Sequence, residues 1–213
     1  EERTKALNEA RQKQWRNKCV SDTYYPGSVF KMVTSSMGFE EGIISENTPF
    51  SCPGYYVVAD RRISCWKSGG HGSETFAQGL CNSCNPVFIQ VGEKLGAQTF
   101  FEYFEAFGFT QKTGIDLPGE SRSIYYDETM GPVELATESF GQNFSITPIQ
   151  MITAAAAVAN GGYLVQPHVV AQVIDDEGNI IRTTDTTVKR QVISNETSRR
   201  VSAILQQTAT TGT

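Results

Sequence analysis

No apolar stretch of this 213-residue chain is long enough to cross a bilayer. The longest near-continuous run, Met151 to Ala159, falls well short of the ~20 residues a spanning helix needs. No secretory signal stands at the N-terminus, and no segment repeats. A basic excess is also missing: 18 Lys and Arg against 23 Asp and Glu leave a net charge of −5, and the basic residues are scattered. That excludes nucleic acid as a main partner. The five cysteines are odd in number, so a purely disulfide framework leaves one thiol over. At 39% hydrophobic, the chain can bury a real core and is neither disordered nor fibrous. Glu1 opens inside a charged helical pattern, and Thr213 follows a Thr-rich segment with no terminating element. The sequence therefore reads as part of a longer protein, and the missing anchor or signal says nothing about the whole.

Periodicity and turn residues predict a polar helix over residues 1–18 and an extended segment from Val20 to Tyr25. A helix from Ser28 to about Met37 is expected to stop at Gly38. Tyr55–Val58 and Arg61–Ser64 read as a hairpin around Ala59-Asp60. Ser73 reads as the N-cap of the next helix. Pro86 opens a helix that Gly96 closes, with an aromatic-rich helix from Gln98 to Phe107 behind it. Residues 114–130 read as a long loop, Thr147-Pro148 as a helix start, and Asp175 to Gly178 as a hairpin turn. A last helix spans Thr197 to Gln207. Cys19 reads as a small buried hydrophobe, and His168 as a strand-start residue without catalytic importance.

Chemistry concentrates at Tyr25-Pro26-Gly27-Ser28-Val29-Phe30-Lys31. Ser28 falls in the first turn of a helix, and Lys31, three residues on, projects from the same face. A partly desolvated Lys31 would be neutral and take the serine proton, making Ser28 a nucleophile. The plain reading is a capping serine beside a solvated lysine. The pattern also recurs at Ser64-Cys65-Trp66-Lys67, so spacing alone decides nothing. Ser83-Cys84-Asn85 breaks two helices; there a hydroxyl can relay a proton and an amide can hold a carbonyl. By itself Ser-x-Asn caps a helix as readily, and Ser45-Glu46-Asn47 matches it too.

Cys52, Cys65, His71 and Cys84 are separated by 12, 5 and 12 residues. Three thiolates and an imidazole suit a tetrahedral, structural Zn2+, and four protein ligands leave no open position for catalysis. Cys84 would place the metal beside Ser83. Other readings stand next to this one. Cys81 could supply a ligand or pair with Cys84, Asp60 could replace a ligand, Cys52 could pair with Cys65, or the thiols could be buried and inert.

Together, Pro26-Gly27-Ser28-x-x-Lys31 and Asn82-Ser83-Cys84-Asn85-Pro86 resemble the first two active-site motifs of the penicillin-binding proteins. Thr113-Gly114-Ile115-Asp116-Leu117-Pro118-Gly119-Glu120, Ser139-Phe140-Gly141-Gln142, Thr147-Pro148-Ile149-Gln150 and Ala159-Asn160-Gly161-Gly162 with Pro167 are similar to markers of the class B enzymes. The likeness runs in order from about Ala6 to the C-terminus. Cys65-Trp66-Lys67-Ser68-Gly69-Gly70-His71-Gly72 is most similar to the sporulation branch, that of the stage V sporulation protein D-like proteins.

The resemblance implies an α/β transpeptidase fold related to the serine β-lactamases. Residues 1–213 would form one partial domain, truncated at both ends: its helical part and a peripheral hairpin, with most of the central sheet missing. It implies Ser28 as nucleophile, Lys31 as base, Ser83 as relay and Asn85 as the holder of a substrate amide. The substrates would be peptidoglycan stem peptides ending in D-Ala–D-Ala, with β-lactams as their mimics, and catalysis would need no cofactor. The parent would work at the extracytoplasmic face of the cell membrane on an N-terminal helix outside this chain. Its partners there would be a membrane glycosyltransferase or divisome and cortex proteins. The family's third motif, Lys-Thr/Ser-Gly on a strand, has two imitations here, Lys67-Ser68-Gly69 and Lys112-Thr113-Gly114. Both precede the Ala159–Gly162 segment and are rejected; the true one is expected after Thr213. The fragment would then be inactive as it stands. A β-lactam sensor or a β-lactamase-like hydrolase are the competing functions of such an acyl-serine protein.

Overall fold

The computed structural model describes residues 2–211; Glu1, Gly212 and Thr213 lie outside them. Helices α1 (Glu2–Trp15) and α2 (Lys18–Ser21) lead to a 3-10 turn over Gly27–Phe30, which runs into α3 (Lys31–Glu40). Strands β1 (Pro49–Cys52), β2 (Tyr55–Val58), β3 (Arg61–Ser64) and β4 (Gly72–Thr75) follow. Next come α4 (Phe76–Cys81), α5 (Asn85–Ala106), α6 (Pro132–Glu138) and α7 (Pro148–Ala159). The chain continues through β5 (Tyr163–Val165), β6 (Gln172–Ile174), β7 (Ile180–Thr183) and β8 (Val188–Gln191) to α8 (Asn195–Thr211). The strands form separate antiparallel pairs, β1 with β4, β2 with β3, β5 with β8 and β6 with β7. The described residues are thus mostly helical, with small two-stranded sheets.

Helix α3 is the centre. All but Met32 and Glu40 of its residues are buried, as expected of a helix packed on every side. It contacts α5, α7 and α8. Its hydroxyls are satisfied where they are buried: Ser35 and Ser36 donate to the carbonyls of Lys31 and Met32, and Thr34 donates to that of Ser139. Phe30, fully buried, meets Phe100, Phe104, Phe109 and Phe144 at ring separations of 4.8–6.2 Å. Losing such a ring costs about 3–5 kcal/mol, so the turn carrying Ser28 is anchored through its inner face.

Several elements differ from the sequence reading. Helix α3 continues through Gly38, because that glycine lets Ile44 approach; a Cβ there would stand 2.7 Å from Ile44 Cδ1. Ser73 lies in β4, paired with Ser51, and the cap of α4 is Thr75, in a reciprocal capping box with Gln78. Gly96, by contrast, breaks α5 as expected: its backbone is non-helical, at φ +76° and ψ 161°, and the two expected helices lie on either side of that kink. Helix α6 occupies residues to which the sequence reading assigned no element. Cys19 is exposed; in the single turn of α2 it is Val20 that faces the core. The hairpin β2–β3 forms as expected, with Tyr55 opposite Ser64, and Thr147 caps α7 through a second capping box.

Candidate active site

Gly27, Ser28, Val29 and Phe30 form the 3-10 turn, in which residues three apart eclipse. Ser28 and Lys31 therefore share a face, and Lys31 Nζ lies 3.3 Å from Ser28 Oγ. The turn is held from outside by Gly27, whose N–H donates to Gly141 O at 2.8 Å. Gly141 has φ +84°, and a Cβ on it would lie 2.1 Å from Gly27 O. The Ser139–Gln142 marker is thus a packing requirement of the turn that carries Ser28.

Ser83 and Asn85 come from the break between α4 and α5, more than 50 residues downstream, and meet the same lysine. Lys31 Nζ donates to Ser83 O at 2.7 Å, Asn85 Oδ1 at 2.7 Å and Ser83 Oγ at 2.9 Å. Ser83 Oγ donates to Ser28 Oγ at 2.9 Å. The Phe88 ring lies 5.3 Å from the amine. Lys31 is 1% exposed, which removes the solvated-lysine reading. Burial pulls its amine down to about 8, with the neighbouring Cys84 and Cys65 opposing. Ser28 is exposed, and Ser83 and Asn85 are half-buried. Ser83 has φ +50°, a conformation costing about 1–2 kcal/mol for a non-glycine residue.

Antiparallel β1–β4 pairing sets Cys52 opposite Gly72. The β2–β3 hairpin folds Cys65 back onto Gly54, its N–H donating to Gly54 O at 2.9 Å. Gly70, at φ +78°, passes between them; a Cβ there would meet Cys52 O and Gly54 N, both at 2.2 Å. As a result the ligand atoms of Cys52, Cys65, His71 and Cys84 all lie within 4.8 Å of one another, and the three cysteines are buried. Cys65 Sγ is 3.5 Å from His71 Nδ1. The cysteines are free, so neither expected disulfide pairing is formed. Burial pushes the thiols of Cys65 and Cys84 upward, and Glu74 adds to the rise at Cys84. Packed this way, thiolates need a cation beside them. The donor set fits a metal ion. Asp60 is outside the group, and Cys81 instead accepts from Thr208 on α8.

Lys67-Ser68-Gly69 lies between β3 and β4, and Lys112-Thr113-Gly114 lies in the loop after α5; neither is on a strand. The sequence reading gave no role to Glu74, Trp66 or Phe88, all near the site. Nothing local marks Glu74, whose carboxylate is buried by tertiary packing alone.

A helical layer built around a Ser-x-x-Lys whose amine is buried, with a second serine and an asparagine on the same amine, has the arrangement that the penicillin-binding resemblance implies. The penicillin binding protein transpeptidase domain family matches residues 1–213. Stage V sporulation protein D of Bacillus subtilis (strain 168) is 42% identical over 201 residues, covering 93% of this chain and 31% of that protein. The peptidoglycan D,D-transpeptidase MrdA of Acinetobacter baumannii is 32% identical over 166 residues, covering 72% and 25%. The solved D,D-transpeptidase domain of a peptidoglycan glycosyltransferase from Eggerthella lenta matches with TM-score 0.87 and 27% identity, over 98% of this chain and 55% of that one. The chain belongs to the penicillin-binding protein transpeptidase family. It spans under a third of the length of these two curated relatives, and its fold is part of the transpeptidase fold.

Proposed function

We propose that the protein containing this chain is a peptidoglycan D,D-transpeptidase acting through an acyl-serine on stem peptides that end in D-Ala–D-Ala. The observation carrying this is Lys31 Nζ, buried and in contact with Ser28, Ser83 and Asn85 at once. A neutral amine has two N–H groups and one lone pair. The two shortest contacts, to Ser83 O and Asn85 Oδ1, take the N–H groups, which leaves the lone pair toward the hydroxyls. Ser28 Oγ accepts from Ser83 Oγ, so its own proton is free to pass to Lys31.

Ser28 Oγ then attacks the carbonyl carbon of the penultimate D-Ala, and the peptide C–N bond breaks. Ser83 gives its hydroxyl proton to the departing amine and takes up the proton held by Lys31, 2.9 Å away, and free D-Ala leaves. The ester is resolved by an amine of a neighbouring stem, which forms the cross-link and restores the serine hydroxyl. With Asn85 Oδ1 occupied by Lys31, the Asn85 Nδ2 group is available to a substrate carbonyl. The Ser28 N–H supplies half of the oxyanion hole. A β-lactam enters the same sequence, but its amine stays tethered and Ser28 remains acylated. In the full-length protein, Ser28→Ala abolishes covalent labelling by a fluorescent penicillin; persistent labelling refutes the assignment.

Likeness to stage V sporulation protein D favours a role in the spore cortex, at the extracytoplasmic membrane face and beside a glycosyltransferase. Among the described residues, no helix is long and apolar enough to cross a membrane, so an anchor would belong to another part of the parent. Cys52, Cys65, His71 and Cys84 would hold Zn2+ as a structural ion, tying β1 and the β3–β4 loop to the start of α5. The expected result is about one zinc per chain in protein purified without added metal, and a lower Tm after chelation. Absence of stoichiometric metal in protein with intact thiols refutes it.

A further inference from the structure

Ser83 holds its left-handed backbone in the middle of the three-residue loop between α4 and α5, and the residue before it is gripped from three directions. The Asn82 N–H donates to Gln78 O at 2.8 Å. Its carbonyl accepts from Trp66 Nε1 at 3.0 Å. Its side-chain Nδ2 donates to Glu74 Oε2 at 2.9 Å. The Glu74 side chain is 3% exposed, and its other oxygen stands 4.0 Å from His71 Nδ1. That oxygen has no hydrogen-bond partner among the described residues. Trp66 packs its ring edge-on against His71, at 5.5 Å between centroids.

A buried carboxylate with one orphaned oxygen, beside buried thiols, is a poor device for stability; an apolar residue would cost less there. It is a good device for direction, because it gives Asn82 Nδ2 an acceptor whose position is fixed by packing. We propose that Glu74, assisted by Trp66, is a positioning residue: it clamps Asn82 and thereby sets the Ser83 hydroxyl between Ser28 and Lys31. The clamp acts on acylation and not on initial binding, since among the described residues no hydrogen bond joins Glu74 or Trp66 to Ser28, Lys31 or Asn85. This inference rests on the acyl-serine reading of the site.

The test uses the full-length protein and a fluorescent penicillin, separating the dissociation constant of the first complex from the acylation rate constant. Glu74→Leu is expected to lower the rate constant about tenfold or more and to leave the dissociation constant within about twofold. Glu74→Gln keeps an acceptor for Asn82 Nδ2 and recovers most of the rate. If Glu74→Leu does not fold, Asn82→Ala removes the same contact from its half-buried end and must show the same split. A folded Glu74→Leu or Asn82→Ala protein that acylates at the unmodified rate overturns the proposal, as does a Glu74→Gln protein as slow as Glu74→Leu. Labelling that does not depend on Ser28 would instead overturn the reading underneath, so the two failures are distinguishable.

Discussion

Replacing Glu138 by Gln removes a charge that the interior cannot solvate. Glu138 ends α6 and is fully buried, and neither carboxylate oxygen has a hydrogen-bond partner among the described residues. Burial pushes its carboxyl up to about 8, Glu134 adds to the rise, and the Tyr126 backbone draws it back. The sign follows from linkage. The native carboxyl binds its proton more tightly than the unfolded one, so its full stability is present below the ordinary value of 4.5. That stability is lost as pH rises through about 8. At 1.36 kcal/mol per unit the limit is roughly 5 kcal/mol, and relaxation of the interior brings a realistic figure to about 2–4 kcal/mol. Gln keeps the shape and cannot ionise. Urea unfolding followed by far-UV circular dichroism, run from pH 5 to pH 9 on both proteins, measures the difference; all other groups titrate alike and cancel. Glu138→Gln is expected to match the unmodified protein near pH 5 and exceed it by about 2–4 kcal/mol at pH 9. A difference that stays constant across that range would refute the reasoning.

The remaining expectations concern Lys31 and the left-handed glycines. Acylation of the full-length protein by a penicillin should rise about tenfold per pH unit up to the Lys31 value of about 8 and level off above it, because only the neutral amine accepts the serine proton; a flat profile between pH 6 and pH 9 removes Lys31 as base. The same depressed value means that the buried ammonium lowers stability below pH 8, and that this loss is recovered as pH rises from about 8 toward 10.5. Gly141→Ala drives a Cβ into Gly27 O from a left-handed backbone, and should cost about 3 kcal/mol or more and roughly 6–12 °C in Tm. Gly178→Ala, with the same backbone hand and open space around it, should cost about 1–2 kcal/mol from strain alone; equal losses in the two variants would show that the contact with Gly27 is unimportant.

Local chemistry was legible where neighbours in the chain decide it. Ser28 and Lys31 share a face because they are one turn apart, the Tyr55–Ser64 hairpin forms from its own alternation, and Thr147 caps α7 with Gln150 three residues on. The cysteine and histidine spacing was enough to single out the four residues that the fold brings together. Other elements were decided by competition between equally good local options. Ser73 and Thr75 can each cap a helix, and pairing of β4 with β1 uses Ser73 in a strand. Gly38 can stop a helix or admit a neighbour, and Ile44 selects the second. Burial of a lysine amine, a glutamate carboxylate or a thiol depends on segments far apart in sequence. Lys31 owes its low basicity to burial, and two of the groups it donates to, Ser83 and Asn85, lie 52 and 54 residues downstream. Glu74 owes its hold on Asn82 to a strand pairing that no local pattern announces. The sequence by itself determined which residues could do acyl-serine chemistry; only the tertiary structure decided which amine is buried and made easier to deprotonate, which hydroxyl faces it and which side chains hold the loop, because desolvation is set by packing and not by spacing.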